Sequence, residues 1–405
     1  MTRLTRSLTV LIALVCALTA PPARAAGPSE TAAALERQMR SAGSGSGALA
    51  VDLDSGAQLY ASRQDTPRVP ASVAKLYTTS AALTLFGTEG RIPTRALGDV
   101  AVDPDGVLNG NLYLRGGGDP SFGKGQARQL VAAVVAATGL REITGRVVGD
   151  ESAFDALRGV PSSGFRLTSD VGPLSALTFN RGRTGKRRPY FQAQPALFAA
   201  QAFERALLVR GVTTGAKAQS GVAPATAVAL GEQASPTMAE LSRRINVPSD
   251  NFAAETLLKV VGAEFGGAGS TGAGAATVRR TLGGFGLRAS VVDGSGLSRR
   301  NTTSPRDVVG LLKRMADSEA APAFEASLPA AGRNGTLSKR MRGTAAQGRC
   351  RAKTGTLRGV STLAGYCFTT SGARVAFAFL MNGVSIYGAR RLQDRMTVAL
   401  ARYGA

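Results

Sequence analysis

The chain has 405 residues, 44% of them hydrophobic and 19% charged, with a formal net charge of +22. That is a globular composition with enough apolar material for one large core or two smaller ones. Histidine is absent from the whole sequence, which excludes a Ser-His-Asp triad, a Cys-His dyad and a His-Glu-x-x-His zinc site together; a nucleophilic serine would need another base, and lysine is the usual substitute.

Residues 1–25 read as a secretory signal. Arg3 and Arg6 precede an apolar run from Leu8 to Ala20, and Ala23-Arg24-Ala25 supplies a small-x-small cleavage site. The run is too short to span a bilayer as a helix, so export is expected; a retained membrane anchor and a lipoprotein built on Cys16 are the alternatives. Beyond the signal a net charge of +19 remains. Such a field attracts anionic partners, here cell-wall polymers or a membrane surface. The basic residues are scattered with little aromatic interleaving, which argues against a nucleic-acid platform.

After the signal, Glu30–Met39 carries helical periodicity, and Gly47–Asp52 with a second strand ending near Ser62 reads as a hairpin turning at Asp54-Ser55-Gly56. Pro70 then opens a helix expected over Ser72–Leu85 and stopped by Gly87. Residues 88–232 change character, with short β-like runs, many turn residues and helices near 125–138 and 195–210, and are predicted to be an inserted domain. Ser235 is the expected N-cap of the next helix, with Pro236 at its first position. A loop at 247–250 and a second helix from Asn251 follow.

The glycine-rich stretch at 266–275 contains the spacing Gly267-x-Gly269-x-x-Gly272, but no strand precedes it, so it reads as a flexible loop and not a dinucleotide site. Three strands are expected near 348–356, 360–369 and 374–382, then a helix over 389–403. Cys350 and Cys367 are equidistant from the turn near Leu357-Arg358-Gly359. They therefore lie nearly opposite each other, as a cross-strand disulfide or as two buried thiols.

Ser72 stands three residues before Lys75, a spacing that places both on one helix face near the positive end of the dipole. Alone this is weak, because Ser121 and Lys124 repeat it in a turn. Ser249-Asp250-Asn251, in a loop between helices, is good turn and capping chemistry in its own right. Lys353-Thr354-Gly355-Thr356 lies on a predicted strand, where a glycine marks close approach by a ligand or another backbone.

In this order the three motifs resemble the penicillin-recognising serine acyltransferases, the group of penicillin-binding proteins and class A β-lactamases. The segments "LRGGGDPSF", "GRVVGDESAF", "PLSALTFN", "PSDNFAAETLLK", "VVDGSGLSRRN" and "SLPAAGRNGTLSKRM" are similar to the D-alanyl-D-alanine carboxypeptidase/endopeptidase family of class C, low-molecular-mass penicillin-binding proteins, over nearly the whole mature chain. The resemblance implies an α/β penicillin-binding fold, an antiparallel sheet of about five strands flanked by helices. The DD-peptidase domain would cover 27–87 and 233–405 with a β-rich insert at 88–232, and the family's further nested domain after "ALTFN" is expected to be missing.

The resemblance also implies roles. Ser72 would attack the penultimate D-alanine carbonyl of a peptidoglycan stem peptide, with Lys75 as base. Ser249 would relay a proton to the leaving amine beside Lys353, and Asn251 would position the substrate amide. Lys353 and Thr354 would hold the terminal carboxylate, and Gly355 would allow close approach. The N–H groups of Ser72 and Thr356 would form an oxyanion hole. Asp150, with Asp155 as an alternative, and Arg299 would recognise the peptide stem. No cofactor or metal is implied, and β-lactams would acylate Ser72 covalently. A β-lactamase and a non-catalytic cell-wall-binding protein are the competing readings.

Overall fold

The computed structural model describes residues 25–185 and 190–404; the expected signal sequence, except for Ala25, and Cys16 within it lie outside them. No helix among the described residues is long and apolar enough to cross a membrane.

Helix α1 (Pro28–Ser41) begins at a proline, which suits a first turn whose N–H groups need no intrahelical partner, and buries Thr31, Leu35 and Met39 at four-residue intervals. Strands β1 (Ser46–Asp52) and β2 (Gln58–Ser62) follow, then a 3-10 turn at Ala71–Ala74 that leads into α2 (Lys75–Phe86). The middle of the chain holds β3 (Pro93–Gly98), β4 (Val107–Leu108), β5 (Leu112–Gly116), α3 (Lys124–Thr138), β6 (Glu142–Ile143) and β7 (Val147–Asp150). It continues through α4 (Pro195–Leu208), β8 (Thr213–Thr214), β9 (Gln219–Ser220) and β10 (Val228–Ala234). Five helices come next, α5 (Met238–Asn246), α6 (Asn251–Phe265), α7 (Thr271–Gly284), α8 (Pro305–Ala316) and α9 (Ala321–Ala326). The chain closes with β11 (Cys350–Leu357), β12 (Val360–Phe368), β13 (Arg374–Asn382) and α10 (Ile386–Ala401).

The main sheet has the order β11-β12-β13-β1-β2 and is antiparallel throughout. Both of its faces are covered, so β13 is buried from Val375 to Met381 without a break. Because successive side chains point to opposite faces, the strand divides its residues between two cores. Ala376, Ala378 and Leu380 join Leu76, Leu257, Leu258 and Leu312 from α2, α6 and α8. Phe377, Phe379 and Met381 join Leu35, Met39, Met396 and Leu400 from α1 and α10. The bulky residues face the α1/α10 layer, and the two alanines allow the other helices a close approach.

The main sheet draws only on residues 46–62 and 350–382, whereas a second sheet, β10-β3-β5-β7-β9, and a small third one, β4-β6-β8, draw only on 93–234. Their core packs Leu112, Leu114 and Val147 against Leu130, Val134 and Phe203 of α3 and α4. Among the described residues no further sheet stands between Phe179 and α4, only a bridge of Arg183 to Phe191. Cys350 pairs with Cys367 across β11 and β12, and their sulfurs are joined in a disulfide.

Two sequence expectations are corrected. The N-cap of α5 is Thr237, whose hydroxyl accepts from the Glu240 N–H at 3.3 Å, and not Ser235. Ser235 ties the middle segment in place instead: its hydroxyl accepts from Ile92 N at 2.9 Å and donates to the Pro236 carbonyl. The glycine-rich stretch is only partly a loop. Ser270 caps α7 by accepting from Ala273 N at 3.1 Å, and Gly274 lies against α6, where a Cβ would stand 2.0 Å from the Leu258 carbonyl oxygen. The glycine serves helix–helix packing. Gly274→Ala is therefore expected to cost about 1–3 kcal/mol of stability, read as a lower urea midpoint. Gly272→Ala, whose added methyl meets nothing nearer than 3.9 Å, is the control; equal midpoints for the two variants would refute the packing role.

Candidate active site

The sequence expectation of a helix opening at Ser72 is also corrected. Ser72 sits in the 3-10 turn, and the α-helix starts only at Lys75. Ala71 is held at φ +47°, a left-handed conformation costly for a residue with a side chain. Two glycines explain how this turn is gripped. A Cβ on Gly296 would lie 2.0 Å from the Ala71 carbonyl oxygen, and one on Gly355 would lie 2.6 Å from the Pro70 oxygen and 3.0 Å from Ser72 N. The 293–298 loop and strand β11 therefore touch the turn backbone to backbone. Thr362, next to Gly355 on β12, donates to the Pro70 carbonyl at 2.7 Å.

Lys75 is fully buried. Its Nζ donates to Ser72 Oγ at 2.9 Å, Asn251 Oδ1 at 2.7 Å and the Ser295 carbonyl at 2.6 Å. Three acceptors satisfy the three hydrogens of an ammonium. On losing a proton the amine gains a lone pair, and one partner must become a donor. A carbonyl cannot, and Asn251 is oriented with its amide N–H on the Asp170 carbonyl at 3.2 Å. The Ser72 hydroxyl is the one partner able to reverse. Burial lowers the Lys75 pKa to about 8, against the opposing pull of Glu255, Asp293 and Asp250.

The second lysine mirrors the first. Lys353 is buried, and its Nζ donates to Ser249 Oγ and to the Thr354 carbonyl, both at 2.8 Å. Burial, and secondarily the charge on Lys75, hold its pKa well below the usual lysine range. Ser249, like Ala71, has left-handed backbone, at φ +63°. Asp250 caps α6 through Ala253 N at 3.0 Å, which fixes Asn251 at the first turn. It also accepts from Arg181 at 2.8 Å.

Strand β11 is an edge of the main sheet. Its outer side is covered at the start, where Ala331 N donates to the Cys350 carbonyl and Ala352 N to the Pro329 carbonyl, each at 2.9 Å. From Lys353 to Thr356 no main-chain hydrogen bond among the described residues covers that side. The open stretch borders a cavity of about 530 Å³ whose walls include Ser72, Ser249, Asn251, Thr354 and Thr356.

Sequence reasoning did not identify the role of Glu255. It lies one turn along α6 from Asn251, fully buried, and accepts from Gly294 N at 3.1 Å and Ser295 N at 2.8 Å. It thereby fixes the peptide whose carbonyl holds Lys75. Asp293 organises the same loop by accepting from Gly296 N, Ser298 N and Asn301. Burial raises both carboxyl pKa values, and Asp293 raises that of Glu255 further. Asp170 and Arg181 were missed as well, having no motif around them.

Asp150 is not brought to the cleft. Its side chain is wholly buried, with one oxygen on Ser152 N at 2.8 Å and the other on Ala223 N at 3.0 Å, beside Arg115. Asp155 is paired with buried Lys259 at 2.6 Å. Arg299 is exposed and donates to the Arg358 carbonyl at the β11–β12 turn.

A family model described as D-Ala-D-Ala carboxypeptidase 3 (S13) matches residues 30–188 and 186–403. The D-alanyl-D-alanine carboxypeptidase of Actinomadura sp. (strain R39) is 33% identical, over 89% of this chain and 82% of that protein. Carboxypeptidase DacB of Mycolicibacterium smegmatis is 32% identical, over 87% and 79%. The crystal structure of penicillin binding protein 4 from Haemophilus influenzae superposes with a TM-score of 0.77 at 22% identity, covering 92% of this chain and 99% of that one, a likeness of fold. With these matches spread over almost all of the described chain, the protein belongs to the D-Ala-D-Ala carboxypeptidase 3 (S13) family.

Proposed function

We propose that Ser72 is the nucleophile of a serine DD-peptidase that cleaves the terminal D-alanyl-D-alanine bond of peptidoglycan stem peptides, with Lys75 as its base. The observation that carries this reading is the Lys75 amine, buried among neutral partners and 2.9 Å from Ser72 Oγ. Ser72 Oγ bonds to the carbonyl carbon of the penultimate D-alanine while its proton passes to neutral Lys75. The N–H groups of Ser72 and Thr356 receive the oxyanion. The C–N bond then breaks as the proton taken up by Lys75 passes through Ser249, which Lys353 holds at 2.8 Å, to the leaving amine, and Lys75 is neutral again. Water attacks the acyl carbon while giving a proton to Lys75; the ester C–O bond breaks, and that proton returns to Ser72 Oγ. Asn251 positions the substrate amide, and Lys353 with Thr354 holds the terminal carboxylate.

A β-lactam would enter as a mimic of the same dipeptide and leave a slowly hydrolysed ester on Ser72. Rapid β-lactam turnover draws no support from Glu255, whose two oxygens are taken by Gly294 and Ser295 N–H groups. We further infer export through the leader at 1–25 and, from the net charge of +19 beyond it, attraction to anionic wall polymers or a membrane surface.

Incubation with a fluorescent penicillin should label the wild type covalently and leave Ser72→Ala unlabelled; an adduct that survives the substitution would overturn the assignment. The pH dependence of acylation tests the base. Lys75 acts when neutral, so the rate should rise with pH through the lysine pKa near 8. Glu255→Gln removes a negative charge that favours the ammonium, so the rising limb should move to lower pH by roughly one unit. The plateau should also fall, because the amide nitrogen cannot accept the second loop N–H. A limb that stays in place while only the plateau falls would mean that the Glu255 charge is not felt at Lys75.

A further inference from the structure

Asn180, Arg181 and Gly182 in the middle segment all have left-handed backbone, at φ +49°, +60° and +70°. Glycine adopts this freely, but for Arg181 it is costly and persists only where the surroundings enforce it. The turn is packed in on both sides. Asn180 N donates to the Phe122 carbonyl at 3.0 Å, and a Cβ on Gly182 would lie 2.3 Å from Pro173 Cγ. At its centre the Arg181 side chain reaches the 249–251 loop. It meets Asp250 with both terminal nitrogens, Nη1 to Oδ2 at 2.5 Å and Nη2 to Oδ1 at 2.8 Å. Its guanidinium also lies 5.1 Å from the centre of the Phe252 ring.

We propose that Arg181 is a positioning residue for acylation: it clamps Asp250 and Phe252 so that Asn251, between them, keeps its amide oxygen on Lys75. The inference rests on the DD-peptidase reading above. The loop needs such a clamp, because Ser249 just before Asp250 has left-handed backbone. A forked pair fixes a carboxylate in direction as well as distance, and Asp250 in turn caps α6 through Ala253 N. Phe252 is buried with Val160, Val171 and Leu174, so the guanidinium holds the chain on both sides of Asn251. The Asp170 carbonyl that accepts from Asn251 lies three residues before Pro173, the residue against which Gly182 packs. One turn therefore backs both contacts that the middle segment makes around Asn251.

Arg181 also bears on the charge of Lys75. The charged groups facing that amine are Lys353 on β11, Asp250 and Glu255 at the start of α6, and Asp293 in the 293–298 loop. The three carboxylates favour the ammonium form. Arg181 sets a positive charge on Asp250 and offsets part of that pull; the effect is modest, because Arg181 is itself half-exposed.

The test is the rate of labelling by a fluorescent penicillin, per folded molecule, across pH. Arg181→Met keeps an apolar stem over Phe252 and loses both fork and charge. It should lower the plateau about tenfold. It should also move the rising limb to higher pH by roughly half a unit, since the unopposed Asp250 charge keeps Lys75 protonated further up the scale. Arg181→Lys keeps the charge without the fork, so its limb should return to the wild-type position while the plateau recovers only in part. Arg183→Met removes a cation from the same stretch, one that lies over Phe191, and should change neither. A wild-type plateau or an unmoved limb in Arg181→Met would overturn the proposal, as would an equal shift in Arg183→Met. If the wild type itself took up no penicillin, the DD-peptidase reading would fail instead.

Discussion

Two lysine amines buried close together, with no carboxylate of the described residues in direct contact with either, are the constraint around which this site is built. Lys75 is held by a hydroxyl, an amide oxygen and a carbonyl, and Lys353 by a hydroxyl and a carbonyl. Burial without an adjacent counter-charge disfavours the ammonium form. The nearest acids, Glu255 and Asp293, stand one layer back and spend their oxygens on loop N–H groups. They moderate the penalty without restoring the usual lysine pKa. An ion pair in direct contact would keep Lys75 protonated and unable to take a proton.

The rest of the scaffold can be understood as keeping those acceptors in place. The 293–298 loop supplies one of them and presses on the Ser72 turn through Gly296. Helix α6 presents Asn251 and Glu255 one turn apart, so a single rigid element sets both the direct contact and the layer behind it. The middle segment also reaches this helix: the Asp170 carbonyl accepts from Asn251, Arg181 pairs with Asp250, and Asp155 pairs with Lys259. Its contacts fall along the helix that carries Asn251 and Glu255, so it helps to fix the geometry around Lys75.

Much of this was legible in the residues. The three C-terminal strands and the hairpin after α1 followed from alternation and turn residues, whereas the mutual approach of the Ser-x-x-Lys, Ser-x-Asn and Lys-Thr-Gly elements was implied by the family resemblance that their order carries. Other features leave no trace in side-chain patterns. The Ser295 carbonyl that holds Lys75 is a backbone atom. A 3-10 turn at Ser72 looks like the first turn of an α-helix, and the nearby backbones of β11 and the 293–298 loop explain it. The glycines at 266–275 looked like loop punctuation, because one required by a neighbouring helix is indistinguishable in sequence from one required by a turn. Asp150 sits in a recognisable segment, yet its hydrogen bonds to Ser152 and Ala223 turn it inward.

The open side of β11 carries a further consequence. An unpaired strand edge is a template for any extended chain, which is why proteins commonly cover or charge their edges. Here the cover stops at Ala352, just short of Lys353-Thr354-Gly355-Thr356. A peptide laid along those four residues would complete the sheet as a guest strand, recognised first by its main chain. If those four residues receive the peptide as proposed, selection against clumping and selection for substrate capture act on the same stretch, and the cavity wall beside it is where the two demands are reconciled.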